Sequence, residues 1–264
     1  MSSISQAEVR AYESSIRSVV GLAGFYPANL LADFHTHPKA QLLYAVSGAM
    51  RVETPTEYFI TPPSTALILP ANTLHSILMD GPVDRRTLFL KEPGSKPTFP
   101  ITKVIAVTGL LRELISEICK EPFDWSVTSR ANNVAMLTLD EIKRANTVPL
   151  GLRLPHDARL RRVVNGIKAN PSDTRSFSAW AEMTGASERT LARLFRSETG
   201  LNFRQWRQHA RLTMAMSLLS NGRNLSEAAA ASGFENQSAF GVSFRRFFGI
   251  TPGQAHRRGI ARLE

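Results

Sequence analysis

The sequence predicts an α+β chain in two parts. An N-terminal β-barrel with flanking helices is followed by an all-α domain built on a repeated two-helix unit. Three observations predict this. Residues 19–90 hold short apolar or alternating runs broken by turn formers, and the pattern turns helical after 92-EPGSKPTFP-100. A helical unit then recurs 48 residues later, inside the one basic part of the chain.

The runs 42-LLYAV-46, 49-AMRVET-54, 57-EYFI-60, 66-ALIL-69 and 87-TLFL-90 are separated by Gly, Pro, Asn or Asp, which reads as strands and turns. Strands this short and this close suit a small barrel or sandwich. Beyond the Pro/Gly-rich break, Leu110, Leu111, Leu114, Ile115 and Ile118 form a helical stripe that Glu121-Pro122 stops. In 127–145, Ala131, Val134, Ala135, Thr138 and Ile142 share one face, while Met136, Leu137 and Leu139 lie on others. That helix therefore buries more than one side, within a bundle or in a homodimer. The stretch 146-NTVPLGLRLPHD-157 reads as an interdomain linker. The expected domains are residues 1–147, a linker at 148–155, and residues 156–258.

Around 177-FSAWAEMTGASERTLARLF-195, Ala181, Gly185 and Leu191 have helix-turn-helix spacing. The small residue lets two helices cross closely, the glycine takes the positive φ of the turn, and the third position is buried. The trio recurs at Ala229, Gly233 and Ala239, and both copies end alike, in 200-GLNF-203 and 249-GITP-252. One such match arises easily by chance; two in register do not. In the first unit Ser187 is the expected N-cap, and Arg189, Ala192, Arg193 and Arg196 fall on one face opposite Leu191, Leu194 and Phe195. Apolar behind and arginine in front is what a helix entering the major groove requires. The second unit offers Asn236, Gln237, Ser238, Gly241 and Val242 at comparable places, followed by Arg245 and Arg246, and of these Gly241 and Val242 are poor hydrogen-bonding readers. Between the two units, 203-FRQWRQHARLTMAMSLLS-220 predicts a long spacer helix that holds them about one DNA turn apart, roughly 34 Å.

Charge follows the same division. Residues 1–150 hold 14 Lys and Arg against 14 Asp and Glu, whereas residues 151–264 hold 18 against 8. The whole net charge of +10 therefore sits in the last 114 residues, and 17 of their 18 basic residues are arginine. The planar guanidinium fork suits phosphate and guanine, so a polyanion partner is expected for this half. No apolar stretch approaches the roughly 20 residues that span a bilayer, and Glu8, Arg10, Glu13 and Arg17 break up any leader-like run. No membrane association is expected. The single cysteine, Cys119, excludes an intrachain disulfide and fits a reducing, cytoplasmic setting.

With 187-SERTLARLFRSETGLNF-203, 211-RLTMAMSLL-219 and 233-GFENQSAFGVSFRRFFGITP-252 on view, residues 156–258 resemble the DNA-binding domain of AraC/XylS-family transcription regulators. That resemblance implies sequence-specific binding to operator DNA, as activator or repressor. It implies base reading by Arg189, Ala192 and Arg193 in the first unit and by Gln237, Ser238 and Gly241 in the second. It also implies contact with RNA polymerase. Arg196, Arg245 and Arg246 complete the expected DNA-binding set, the first unit supplying more sequence discrimination and the second backbone contacts and shape readout.

The N-terminal part resembles the cupin pattern, with His35, His37, Gln41 and Gly48 in the places of the first motif, and Pro70 and His75 in those of the second. It departs from that pattern in having Gln41 for the usual carboxylate ligand, and Asn29 and Asn72 for usual glycines. His35, His37 and His75 would make a site for a divalent metal such as zinc, iron, manganese or nickel. With Gln41 they would instead line a polar pocket for an organic effector, or serve the core. Three functions remain open at this stage: an effector-sensing regulator, a cupin enzyme with a DNA-binding tail, and a non-specific packaging protein. The missing carboxylate speaks against the enzyme, and the paired recognition helices against packaging.

Overall fold

The protein is described from a computed structural model, which covers the backbone of residues 6–92, 97–148 and 150–260. It divides into two compact units, residues 1–52 with 61–150, and residues 53–60 with 151–264. In chain order the elements begin α1 (Gln6–Ser14), β1 (Val19–Tyr26), β2 (Leu31–His35), β3 (Ala40–Glu53), β4 (Glu57–Thr61), β5 (Thr65–Leu69), β6 (His75–Leu90) and β7 (Lys103–Ala106). They continue with α2 (Gly109–Ile118), α3 (Arg130–Arg144), β8 (Thr147–Val148) and β9 (Gly151–Arg153).

In the first unit the strand order is β1-β6-β3-β5-β7-β8, with β2 also on β6. β1 runs antiparallel to β6 from Val19↔Leu90 to Tyr26↔Val83, and β2 reaches the other end of β6 at His35↔His75. Tyr44, Phe89, Leu111, Ile115, Ala135 and Ile142 belong to one buried cluster, so α2 and α3 cover the sheet. The expected runs 42–46 and 49–54 merge into the single strand β3. Gly48 bends it at φ 76° without turning it, and a Cβ there would run into the Pro82 carbonyl oxygen. All five residues expected on the buried face of α3 are buried. On α2 Leu110 departs from its expected stripe and is 50% exposed.

Asn29 and Asn72, the residues standing where the pattern has glycine, are left-handed at φ 62° and 60°. Asparagine is among the few side chains that tolerate this conformation, so the turns survive the substitution. The Asn72 amide donates to the His37 carbonyl at 2.7 Å, tying one histidine segment to the loop before the third histidine.

The segment expected as a linker is structured on both sides of Pro149, which lies outside the described residues. β8 pairs with β7, and β9 pairs antiparallel with β4 from Phe59↔Gly151 to Glu57↔Arg153. Strands this short leave no period to read in the sequence. The second unit therefore contains most of β4 together with Glu53, the last residue of β3, which forms an ion pair with Lys168 at 2.6 Å.

The helices of this unit are α4 (Ala158–Ala169), α5 (Phe177–Thr184), α6 (Glu188–Leu194), α7 (Phe203–Ser220), α8 (Leu225–Ala231), α9 (Gln237–Phe248) and α10 (Pro252–Ile260). α6 runs on into a π-helical turn at Phe195–Thr199. The expected spacer 203–220 is α7. Each of α4 to α9 starts at an Asp, Ser or Asn whose side chain accepts from a backbone N–H of the first turn, a contribution of about 1 kcal/mol apiece. The two turn glycines, Gly185 and Gly233, sit at φ 66° and 77°.

One element of the repeat needs correction. Ala239 is exposed, and the buried position belongs to Phe240. The N-caps Ser187 and Asn236 and the buried pairs Leu191/Phe195 and Phe240/Phe244 are offset by 49 residues, not 48. The second turn is one residue longer, and the fixed spacing from glycine conceals this.

Candidate functional site

Two groups of side chains stand out, one in each unit. In the helical unit Arg189, Ala192, Arg193 and Arg196 are exposed on the first repeat, with Gln237, Ser238, Arg245 and Arg246 exposed and Gly241 half-buried on the second. Leu191, Leu194 and Phe195 hold α6 from behind, and Phe240 and Phe244 hold α9. Arg196 lies in the π-turn, so it is not in ideal register with Arg189 and Arg193. The 49-residue offset sets Ser238 against Arg189, Gly241 against Ala192, Val242 against Arg193 and Arg245 against Arg196. Val242, 71% exposed, thus shares the exposed face of α9 with Ser238 and Arg245. An apolar side chain there is suited to the thymine methyl group.

The arginines of this unit fall into two kinds. Arg159 pairs with Asp157 at 2.8 Å, Arg175 with Asp173 at 2.5 Å, and Arg211 donates to the Pro171 carbonyl at 2.9 Å. Arg175 also stacks 3.8 Å over Trp180. These hold the fold together. Arg189, Arg193, Arg196, Arg245 and Arg246 have no ion pair among the described residues and are left to meet a partner. Arg223 follows α7 and stands only 3.7 Å from Glu227, both exposed.

In the β unit, His35 at the end of β2, His37 in the loop after it and His75 at the start of β6 converge. Their candidate ligand atoms all lie within 4.8 Å of one another, and the ring centroids of His35 and His75 are 4.4 Å apart. The cause is register, since His35 faces His75 directly across the β2–β6 ladder. Each ring has its Nδ1 engaged: His35 with the Asp33 carbonyl at 2.5 Å, His75 with the Thr73 carbonyl at 2.8 Å, and His37 with the Glu13 carboxylate. With Nδ1 donating, Nε2 carries the lone pair. Among the described residues the His75 Nε2 is buried without a partner, as is Gln41 Oε1 on β3. Burial holds the His75 imidazole down at about 4, and burial also lowers His37 against the opposing hydrogen bond from Glu13. His75 is therefore neutral near pH 7.

Three imidazoles whose Nδ1 nitrogens donate to a carbonyl or a carboxylate fit a divalent metal, because such outer partners fix tautomer and orientation. Tetrahedral coordination brings ligand nitrogens to about 3.4 Å, so a modest contraction of the triad completes the fit. Glu13 carries no mark of this role in the local sequence. It comes from α1, 24 residues before His37, where Lys39 holds the end of that helix by donating to the Tyr12 and Ser15 carbonyls. Cys119 takes no part: burial pushes its thiol up to about 12, which makes it inert.

Among the described residues no helix is long and apolar enough to cross a membrane. The family described as a helix-turn-helix domain matches residues 180–258. The HTH-type transcriptional regulator NimR of Escherichia coli is 31% identical over 235 residues, covering 89% of this chain and 84% of NimR. The HTH-type transcriptional activator RhaR of Klebsiella pneumoniae is 30% identical over 126 residues, 47% of this chain and 44% of RhaR. Among solved structures, a regulator with an AraC-type DNA-binding domain from Chromobacterium violaceum is 28% identical, with a TM-score of 0.36, over 38% of this chain and 91% of that one. The length of the match to NimR, spanning both units, makes this chain a member of the AraC/XylS family of DNA-binding transcription regulators.

Proposed function

We propose that residues 1–147 form an effector-sensing domain, that residues 148–155 connect it onward, and that residues 156–258 read operator DNA through two successive major grooves. Arg189, Arg193, Ser238 and Val242 face bases, while Arg196, Arg245 and Arg246 hold phosphates. The protein works as a cytoplasmic homodimer, for which the exposed Met136 and Leu137 of α3 offer an apolar contact, and it meets RNA polymerase when bound. It is a regulator and not an enzyme, since Gln41 replaces the carboxylate ligand of the cupin pattern. His35, His37 and His75 hold a divalent metal, which supplies a Lewis-acidic centre to which an effector can bind, and Gln41 is a further donor. For a switch to result, the effector must bind one arrangement of the protein better than another.

The observation that carries the sensing half is the buried, unpartnered Nε2 of His75 inside the histidine triad. Leaving such a nitrogen without a partner is costly, and a metal ion or an effector removes that cost. The test is metal content after incubation with zinc, iron, manganese and nickel, wild type beside His75→Ala. Near-stoichiometric metal in the wild type and its loss in the variant is the expected result. No metal in either protein refutes the metal reading and leaves an organic effector pocket.

A further inference from the structure

We propose that the ligand of the β unit is a small organic carboxylate, gripped by Arg85 and Tyr26 beside the histidine triad. This rests on reading that unit as the effector-binding half. Arg85 lies on β6, whose alternate residues His75, Ile77, Met79, Val83, Thr87 and Phe89 are buried along the same face. The Phe89 ring is 5.6 Å from that of His37, so this face runs from the triad to Arg85.

Arg85 has no carboxylate partner among the described residues. Its Nη2 donates to the Tyr26 hydroxyl at 2.7 Å, and its Cζ stands 4.2 Å from the Tyr26 ring centroid. The two neighbouring acids on the strand are taken, Asp84 by Arg86 and Asp80 by Arg51. Burial disfavours the charged form of Arg85, yet a guanidinium does not give up its proton in a protein. A half-buried cation that has no carboxylate partner among the described residues is a cost that an anion removes. The planar fork matches a carboxylate with two parallel hydrogen bonds, and the Tyr26 hydroxyl, accepting from Arg85, keeps its own proton to donate. The hydroxyl of Thr87, on the same face, is also buried without a partner among the described residues. Ile77, Met79, Val83 and Phe89 on that face suit a hydrocarbon body, which favours an organic acid over an inorganic anion.

The experiment is calorimetric titration and thermal melting of the full-length protein with a panel of short mono- and dicarboxylates. Each is run beside its neutral amide, with inorganic phosphate as a separate arm. At least one carboxylate should bind and raise the melting temperature where its amide does not. Arg85→Gln should lose at least about tenfold in affinity, with Arg85→Lys intermediate. If Arg85→Gln fails to fold, Tyr26→Phe and Arg85→Lys carry the comparison, and unchanged affinity in both overturns the proposal. Amides binding as well as acids, phosphate stabilising as much as any carboxylate, or no carboxylate binding to folded wild type would each overturn it too. Should zinc stabilise the wild type but not His75→Ala while carboxylates do nothing, the sensing site stands and only the anion falls. Silence from every probe removes both.

Discussion

The two units place their unpaired charge differently. Both bury polar atoms that find no partner among the described residues, such as His75 Nε2, Gln41 Oε1 and Thr87 Oγ1 in the β unit and Trp180 Nε1, Ser232 Oγ and His256 Nδ1 in the helical unit. The helical unit adds exposed arginines without an ion pair among the described residues, Arg189, Arg193, Arg196, Arg245 and Arg246. A buried unsatisfied atom draws in a small ligand that can be surrounded. An exposed unpaired cation suits a large polyanion approached across a surface. The contrast also separates costs, because perturbing one unit should register in stability and ligand binding, and perturbing the other in DNA affinity and sequence preference.

The sharpest way to break that contrast is to damage the helical unit from inside. Phe240, 1% exposed, packs beneath the second recognition helix, so Phe240→Ala should destabilise that unit by about 3–5 kcal/mol. Denaturant unfolding should show loss in the helical signal together with loss of DNA binding, while metal uptake by the triad is retained. Loss of metal uptake as well would mean that the two units do not respond separately.

A smaller effect belongs to the β unit. His75 is held neutral at about 4 when folded, against 6.5 for a free imidazole. Because the folded pKa of this base is lowered, the unfolded chain binds the extra proton first. Stability from this group is complete above pH 6.5 and is lost as pH falls from 6.5 through about 4. The full loss is on the order of 3 kcal/mol. Urea midpoints of the metal-free protein should fall across this window, and the fall should flatten in His75→Gln. An equal slope in both proteins would place the acid sensitivity elsewhere.

The smallest effect sharpens the contrast within the helical unit. Arg193→Ala should weaken operator binding by about 1–3 kcal/mol and relax preference at one base position. The matching site in the other repeat holds Val242, so Val242→Ala should change preference with less effect on the salt dependence of binding. Equal weakening on operator and random DNA by Arg193→Ala would reduce that arginine to a phosphate contact.

Much of this was legible in the residues alone. The buried face of α3, the span of α7, the N-cap Ser187, the segregation of arginine and the His-x-His spacing are local patterns, set by helical or strand periodicity and by capping chemistry. Repetition made the helix-turn-helix units visible, because the same close helix crossing selects a small residue twice and the same positive-φ turn selects glycine twice. Tertiary structure decided what depends on distant parts meeting. The β2–β6 register brings His35 to His75, α1 delivers Glu13 to His37, and the pairing of Asp80 and Asp84 with other arginines leaves Arg85 to Tyr26. It also exposed the extra residue in the second turn, which replaces Ala239 with Phe240 beneath α9. Periodicity fixes which face a side chain occupies, but strand register and loop length fix what it faces, and neither is written in any single stretch of the chain.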